Sequence, residues 1–127
     1  MSRKPYARDG RRQQAESAWS ELPHGGHDAV ALRVQCANSH HVAIVYRTGL
    51  GPVFASQVRG RSHGSRDRID EPRGPRPVDR WFDLLEVGQD PQVDDAMPAW
   101  CDCGPRTLSR AALLEWMTSG ERRVVVN

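Results

Sequence analysis

Apolar positions along this chain fall into short, separated groups, and their spacing predicts small elements. From Asp9 to Leu22, the residues Ala15, Ala18, Trp19 and Leu22 recur at i, i+3, i+4 and i+7, the stripe of a narrow amphipathic helix. Asp9 would cap it, Pro23 and the His24-Gly-Gly-His27 segment would end it, and residues 1–8 would form a basic, disordered tail. Residues 29–35 set Val30, Leu32 and Val34 on one face of a strand. His41 to Thr48 is rich in β-branched residues, and a third strand, Val53 to Val58, follows the turn residues Gly49-Leu-Gly-Pro52. Three strands joined by short turns predict an antiparallel meander.

The pattern breaks after that. Residues 59–77 hold six Arg against three acids, with Gly, Ser and Pro throughout and almost nothing to bury, so a flexible loop is expected. Residues 78–100 reverse the sign, with six acids and one Arg, and 80–87 reads as a strand or a short helix. Near the end, Ser109 is an N-cap, Leu108 and Leu113 are placed for a hydrophobic staple, and Gly120 stands at C′. A helix over about 110–119 and a last strand, Arg122 to Val126, complete the reading.

Composition changes this picture in one respect. Leu, Ile, Val and Phe make up only about a fifth of the 127 residues, near the level at which order fails when net charge is large. The net charge here is only +2, so an ordered domain with a thin core is expected, and a thin core gains from a cross-link or a metal. All but one of the 18 basic residues are Arg, a bias that a GC-rich genome also produces. No apolar run reaches the length of a membrane span, and no apolar stretch follows the basic N-terminus, so a cytoplasmic location is the expectation.

The chemistry-bearing residues form two close pairs. Cys36-x-x-x-His40 sits in the turn between two predicted strands, and Cys101-Asp-Cys103-Gly104 has a glycine that permits a sharp knuckle. Structural zinc takes four thiolate or imidazole ligands in a tetrahedron, often as two such pairs, because one tight turn aims two side chains at one point. The expected site is therefore one structural zinc ion on Cys36, His40, Cys101 and Cys103, with His41 as the rival for the imidazole position. The competing readings are three unrelated reduced cysteines, or a redox pair at Cys101 and Cys103, although the usual redox spacing has two intervening residues. An odd cysteine count argues against a disulfide framework. His24 and His27 have pair-like spacing but no nearby cysteine, which suits a solvated loop. The whole predicts an α+β, zinc-ribbon-like domain over 26–127, with a small antiparallel β-meander, a zinc knuckle, a short C-terminal helix and a flexible Arg-rich loop at 59–77. Residues 1–25 would be a basic tail and short helix.

Cys36-Ala-Asn-Ser-His40-His41-Val42, with Pro98-Ala-Trp100-Cys101-Asp-Cys103-Gly104, resembles the zinc module of the actinobacterial RNA polymerase-binding protein A family. That family pairs a C-x-x-G-H turn with a Trp-containing C-x-x-C-G knuckle. Cys36 and His40 match the first half, and Trp100, Cys103 and Gly104 match the second. Ser39 replaces the glycine, the second knuckle is one residue short, the intervening segment is far longer, and the sigma-binding helix pattern is absent. The chain as a whole looks more like small uncharacterised proteins of high-GC actinobacteria and their phages. The resemblance implies zinc and a transcription-associated protein partner.

No P-loop, G-x-G-x-x-G, G-x-S-x-G or H-E-x-x-H motif is present, and no small-molecule substrate is evident. The first expectation is a non-enzymatic, zinc-stabilised interaction or regulatory module with a protein partner; Trp81, Trp100 and Trp116 read as core, so Trp19 is the one tryptophan that points to an interface. The second is nucleic-acid binding through Arg59, Arg61, Arg66, Arg68, Arg73 and Arg76 with the basic tail. The third is a zinc-dependent hydrolase, if one ligand were replaced by water.

Overall fold

In the computed structural model, residues 4–57, 80–87 and 93–126 are described, with side chains from residue 10 onward. The β-branched runs become β1 (Val30–Cys36), β2 (His41–Thr48) and β3 (Gly51–Gln57), and β4 (Arg80–Leu84) joins beside β3. These four pair antiparallel in sequence order, which is the expected meander. A separate antiparallel hairpin follows, β5 (Ala96–Cys101) and β6 (Gly104–Ser109), then helix α2 (Arg110–Thr118). The last strand, β7 (Arg123–Val126), returns to pair parallel with β1, so the main sheet runs β4-β3-β2-β1-β7. The fold is thus α+β, a mostly antiparallel meander with a short C-terminal helix.

Alternation along the strands assigns the two faces. Leu32, Val45 and Phe54 lie in one row, and Val34, Ala43 and Ser56 in the next. Met97 and Ala99 from β5, Leu108 from β6 and Leu113 from α2 cover this face, and every one of them is buried. The Ser56 hydroxyl donates to the Pro98 carbonyl at 2.6 Å, fixing the hairpin against β3. Residues 80–87 form a strand only as far as Leu84, after which Leu85 turns into the core with 0% exposure.

Helix α1 (Lys4–Ser20) covers part of the opposite face. It starts at Lys4, not Asp9, and residues from Lys4 onward are helical where a disordered tail was expected. Pro5 explains the earlier start, since a first-turn proline gives up an N–H that has no intrahelical partner. Ala15 is fully buried against Val53 and Phe82. Trp19 is partly buried: its ring lies 5.3 Å from Phe82 and 6.3 Å from Tyr46, with the Arg80 guanidinium 5.2 Å above it. After Pro23 a short 3-10 segment (Pro23–Ala29) crosses to β1. Gly26, at φ +80°, passes so close to the Tyr46 ring that a Cβ there would sit 2.9 Å from it.

Helix α2 starts with its backbone donors satisfied, which is what holds the hairpin and helix as one unit. The Arg110 N–H donates to the Asp95 carbonyl, Ala111 N–H to the Asp95 carboxylate, and Ala112 N–H to the Ser109 hydroxyl. The Ala111 N–H, with Ser109 beside it, holds the Asp95 carboxyl below the usual carboxylate range.

A buried carboxylate links three elements. Asp83 on β4 is 1% exposed and accepts from Arg11 of α1 at 2.8 and 3.3 Å and from Arg110 of α2 at 3.0 Å. Arg110 is itself buried and donates to the carbonyls of Leu84 at 2.6 Å and Leu85 at 3.3 Å. Among the described residues no helix is long and apolar enough to cross a membrane.

Candidate metal centre

Two turns meet at one end of the sheet. In the first, Cys36 ends β1 and His40 immediately precedes β2; Ser39 N–H donates to the Cys36 carbonyl at 2.8 Å and Cys36 N–H to the His40 carbonyl at 3.0 Å. Closing so tight a turn puts Ser39 at φ +68°, in the left-handed region. In the second turn Cys101 pairs with Gly104, leaving Asp102-Cys103 as a two-residue tip. Gly104 has φ +123°, a conformation that glycine adopts freely and that lets the chain turn tightly after Cys103. Because β5 lies across β2 and β3, the hairpin tip arrives beside the β1–β2 turn.

The structure brings Cys36, His40, Cys101 and Cys103 together, with their ligand atoms all within 4.8 Å of one another. Cys36 Sγ lies 3.4 Å from His40 Nδ1 and 4.0 Å from Cys103 Sγ, and Cys103 Sγ is 3.5 Å from His40 Nδ1. A tetrahedron with metal–sulfur bonds of ~2.3 Å and metal–nitrogen bonds of ~2.0–2.1 Å has edges of roughly 3.8 Å between sulfurs and ~3.5 Å between sulfur and nitrogen. The donor set is therefore close enough to bind one metal ion, and its dimensions are consistent with zinc. All three cysteines are free, Cys36 and Cys101 buried and Cys103 exposed.

Surrounding groups favour the thiolate form. Burial pushes the Cys36 thiol up, but the backbone of His40 and Asn38 and the neighbouring Cys101 and Cys103 outweigh it and leave the group below the ordinary thiol range. The Asn38 N–H points at Cys36 Sγ from 3.3 Å, and the Asn38 side-chain amide donates to Cys103 Sγ at 3.2 Å. At Cys101, burial again raises the pKa while the Arg106 guanidinium, with Nε at 3.5 Å, does most to bring it below the ordinary range. Arg106 is stabilised in its charged form in return. Three thiolates and one imidazole around a divalent ion carry one net negative charge, and Arg106 supplies the balancing positive one. His40 turns Nδ1 toward the sulfurs, and its Nε2 lies 4.0 Å from the exposed Asp102 carboxylate, beyond hydrogen-bond distance.

His41 opens β2 outside this cluster, and His24 and His27 lie in the 3-10 segment. Arg59, Arg61, Arg66, Arg68, Arg73 and Arg76 lie outside the described residues. Arg106, Asn38 and Asp102 were not singled out in the sequence. The signal for Arg106 was the charge count of a three-thiolate site, which calls for a nearby cation. Comparison of the chain with protein-family models, curated proteins and solved structures finds no match.

The left-handed Ser39 leads to a prediction. A non-glycine residue in this region costs roughly 1–2 kcal/mol, and glycine gives part of that back as unfolded-state entropy. Ser39→Gly is expected to raise the stability of the metal-loaded protein by about 0.5–1 kcal/mol without changing metal stoichiometry. Urea unfolding measures it, and an unchanged or lower midpoint would count against a strained turn.

Proposed function

We propose that this chain is a non-enzymatic, cytoplasmic interaction module whose fold is held by one structural zinc ion, and that its partner belongs to the transcription machinery. The observation that carries the first part is the donor set: Cys36, His40, Cys101 and Cys103 place four potential ligand atoms within 4.8 Å of one another. Four protein ligands close a zinc site, whereas a catalytic zinc keeps one position for water or substrate. The reduced, free cysteines suit a cytoplasmic setting. Support for the transcription role is the resemblance of the two knuckles to the RNA polymerase-binding protein A zinc module. It gains from the backbone at Ser39, which adopts a left-handed conformation where that family has glycine.

Cobalt substitution tests the closed site. The cobalt form should show the thiolate charge-transfer and d–d bands of a tetrahedral three-sulfur, one-nitrogen centre, and added azide should leave them unchanged. A spectrum that moves with azide would indicate an open position and favour a zinc-dependent hydrolase. The partner class is tested by titrating purified actinobacterial RNA polymerase, with and without sigma factor, onto the zinc-loaded chain; no binding to either form would overturn the transcription reading.

A further inference from the structure

Around the middle of β1, about 10 Å along the strand from Cys36, the structure concentrates positive charge that the described residues balance only in part. Arg33 on β1 and Arg123 on β7 are register partners on adjacent strands, so their side chains leave the same face side by side. Arg122 immediately precedes β7, and its carbonyl accepts from Arg33 N–H at 3.0 Å. The three arginines, with His27 and Asp28, line one cleft of about 530 Å³. Val30 and Ala31 also line it, because β7 starts opposite Arg33 and leaves the beginning of β1 paired with β2 alone, its other edge open. Among the described residues none of these three guanidiniums has a side-chain hydrogen bond or an ion pair.

Like charges set directly across neighbouring strands are destabilising, so an arrangement that places two arginines in register and adds a third calls for a counter-charge. Asp28 offsets one of the three, leaving two positive charges in the cleft. A carboxylate or a phosphodiester carries one negative charge and would leave the cleft unbalanced. A phosphomonoester carries about −1.5 to −2 at neutral pH and presents three acceptor oxygens, which match the planar donor forks of guanidinium groups. We infer that the Arg33–Arg122–Arg123 cleft binds a terminal phosphate monoester, borne either by a free nucleotide or by the 5′ end of a nucleic acid. The site goes beyond the structural-metal reading and shares no residue with it.

The test titrates the zinc-loaded full chain with adenosine monophosphate, inorganic phosphate, and a short single-stranded oligonucleotide with and without its 5′ phosphate. Backbone amide shifts and calorimetry give the readout. Shifts should concentrate at Ala31, Arg33 and Arg123. The double variant Arg122→Gln/Arg123→Gln should weaken binding about tenfold or more, as expected for losing charge-assisted bonds, with an unchanged circular dichroism spectrum. Asp28→Asn should act in the opposite direction and tighten it, a result that damage to the fold would not produce. Tighter binding of the 5′-phosphorylated oligonucleotide than of the mononucleotide would assign a nucleic-acid end as the source, and the reverse a free nucleotide. The proposal is overturned if the 5′-hydroxyl oligonucleotide binds as well as the phosphorylated one, if acetate competes equally, or if the variants leave affinity unchanged.

Discussion

Removing the metal is expected to abolish cooperative unfolding of this chain and leave the two sheets unheld at their shared end. Zinc in small modules contributes on the order of 10 kcal/mol to folding, against a total stability of roughly 5–15 kcal/mol for an ordinary domain. The thin apolar core leaves little margin to absorb such a loss. Purified protein should carry close to one zinc per chain by elemental analysis, and a chelator should erase the thermal transition, with zinc restoring it. The most informative variant is Cys103→Ser. Cys36 and Cys101 are 1% and 3% exposed, so replacing either also disturbs packing. Cys103 is exposed, so unfolding of its serine variant would report lost coordination alone. Protein that holds no zinc and melts unchanged with chelator would refute the structural-metal reading.

The second large effect is expected at Asp83. Removing one partner of a buried ion pair leaves the other charge without compensation and costs about 3–5 kcal/mol. Asp83→Ala strands Arg110, whose side chain is 8% exposed, more severely than Arg11 at 16%. In urea unfolding of the zinc-loaded protein, Asp83→Ala should therefore lose about 3–5 kcal/mol and Arg11→Ala distinctly less. The double variant Asp83→Ala/Arg110→Ala should fall well short of the sum of the two single losses, because both remove one shared interaction. Additive losses would mean that the three groups do not act as a unit.

The meander was legible because it is built from what sequence patterns encode. β-branched alternation and turn residues mark β1 to β3, and Ser109 with the Leu108 and Leu113 staple marks α2. The four metal ligands were legible for a related reason: each pair lies within a few residues, so local spacing records the geometry. The β5–β6 hairpin was not, since Pro98 and Pro105 interrupt the β-branched alternation that marks a strand. Proline is tolerated there because this two-stranded hairpin has no inner strand. The parallel return of β7 to β1 was hidden too, because no local pattern specifies which edge a terminal strand will join. The Asp83 cluster is the extreme case. Its partners lie 72 and 27 residues away, and in the sequence Asp83 is one acid among several in an acidic stretch. Tertiary burial alone singles it out.

The distance along the chain between the two knuckles bears on how the protein is made. Cys103 is 67 residues downstream of Cys36. At a synthesis rate of about 5–20 residues per second, the Cys36–His40 half-site waits roughly 3–13 s for its completing ligands. For that interval a nascent chain displays a thiolate-forming cysteine and an imidazole without the partners that would saturate a metal. It is then open to a competing ion or to oxidation, which makes the ribosome-bound chain, more than the finished protein, the form most sensitive to the metal and redox state of its surroundings.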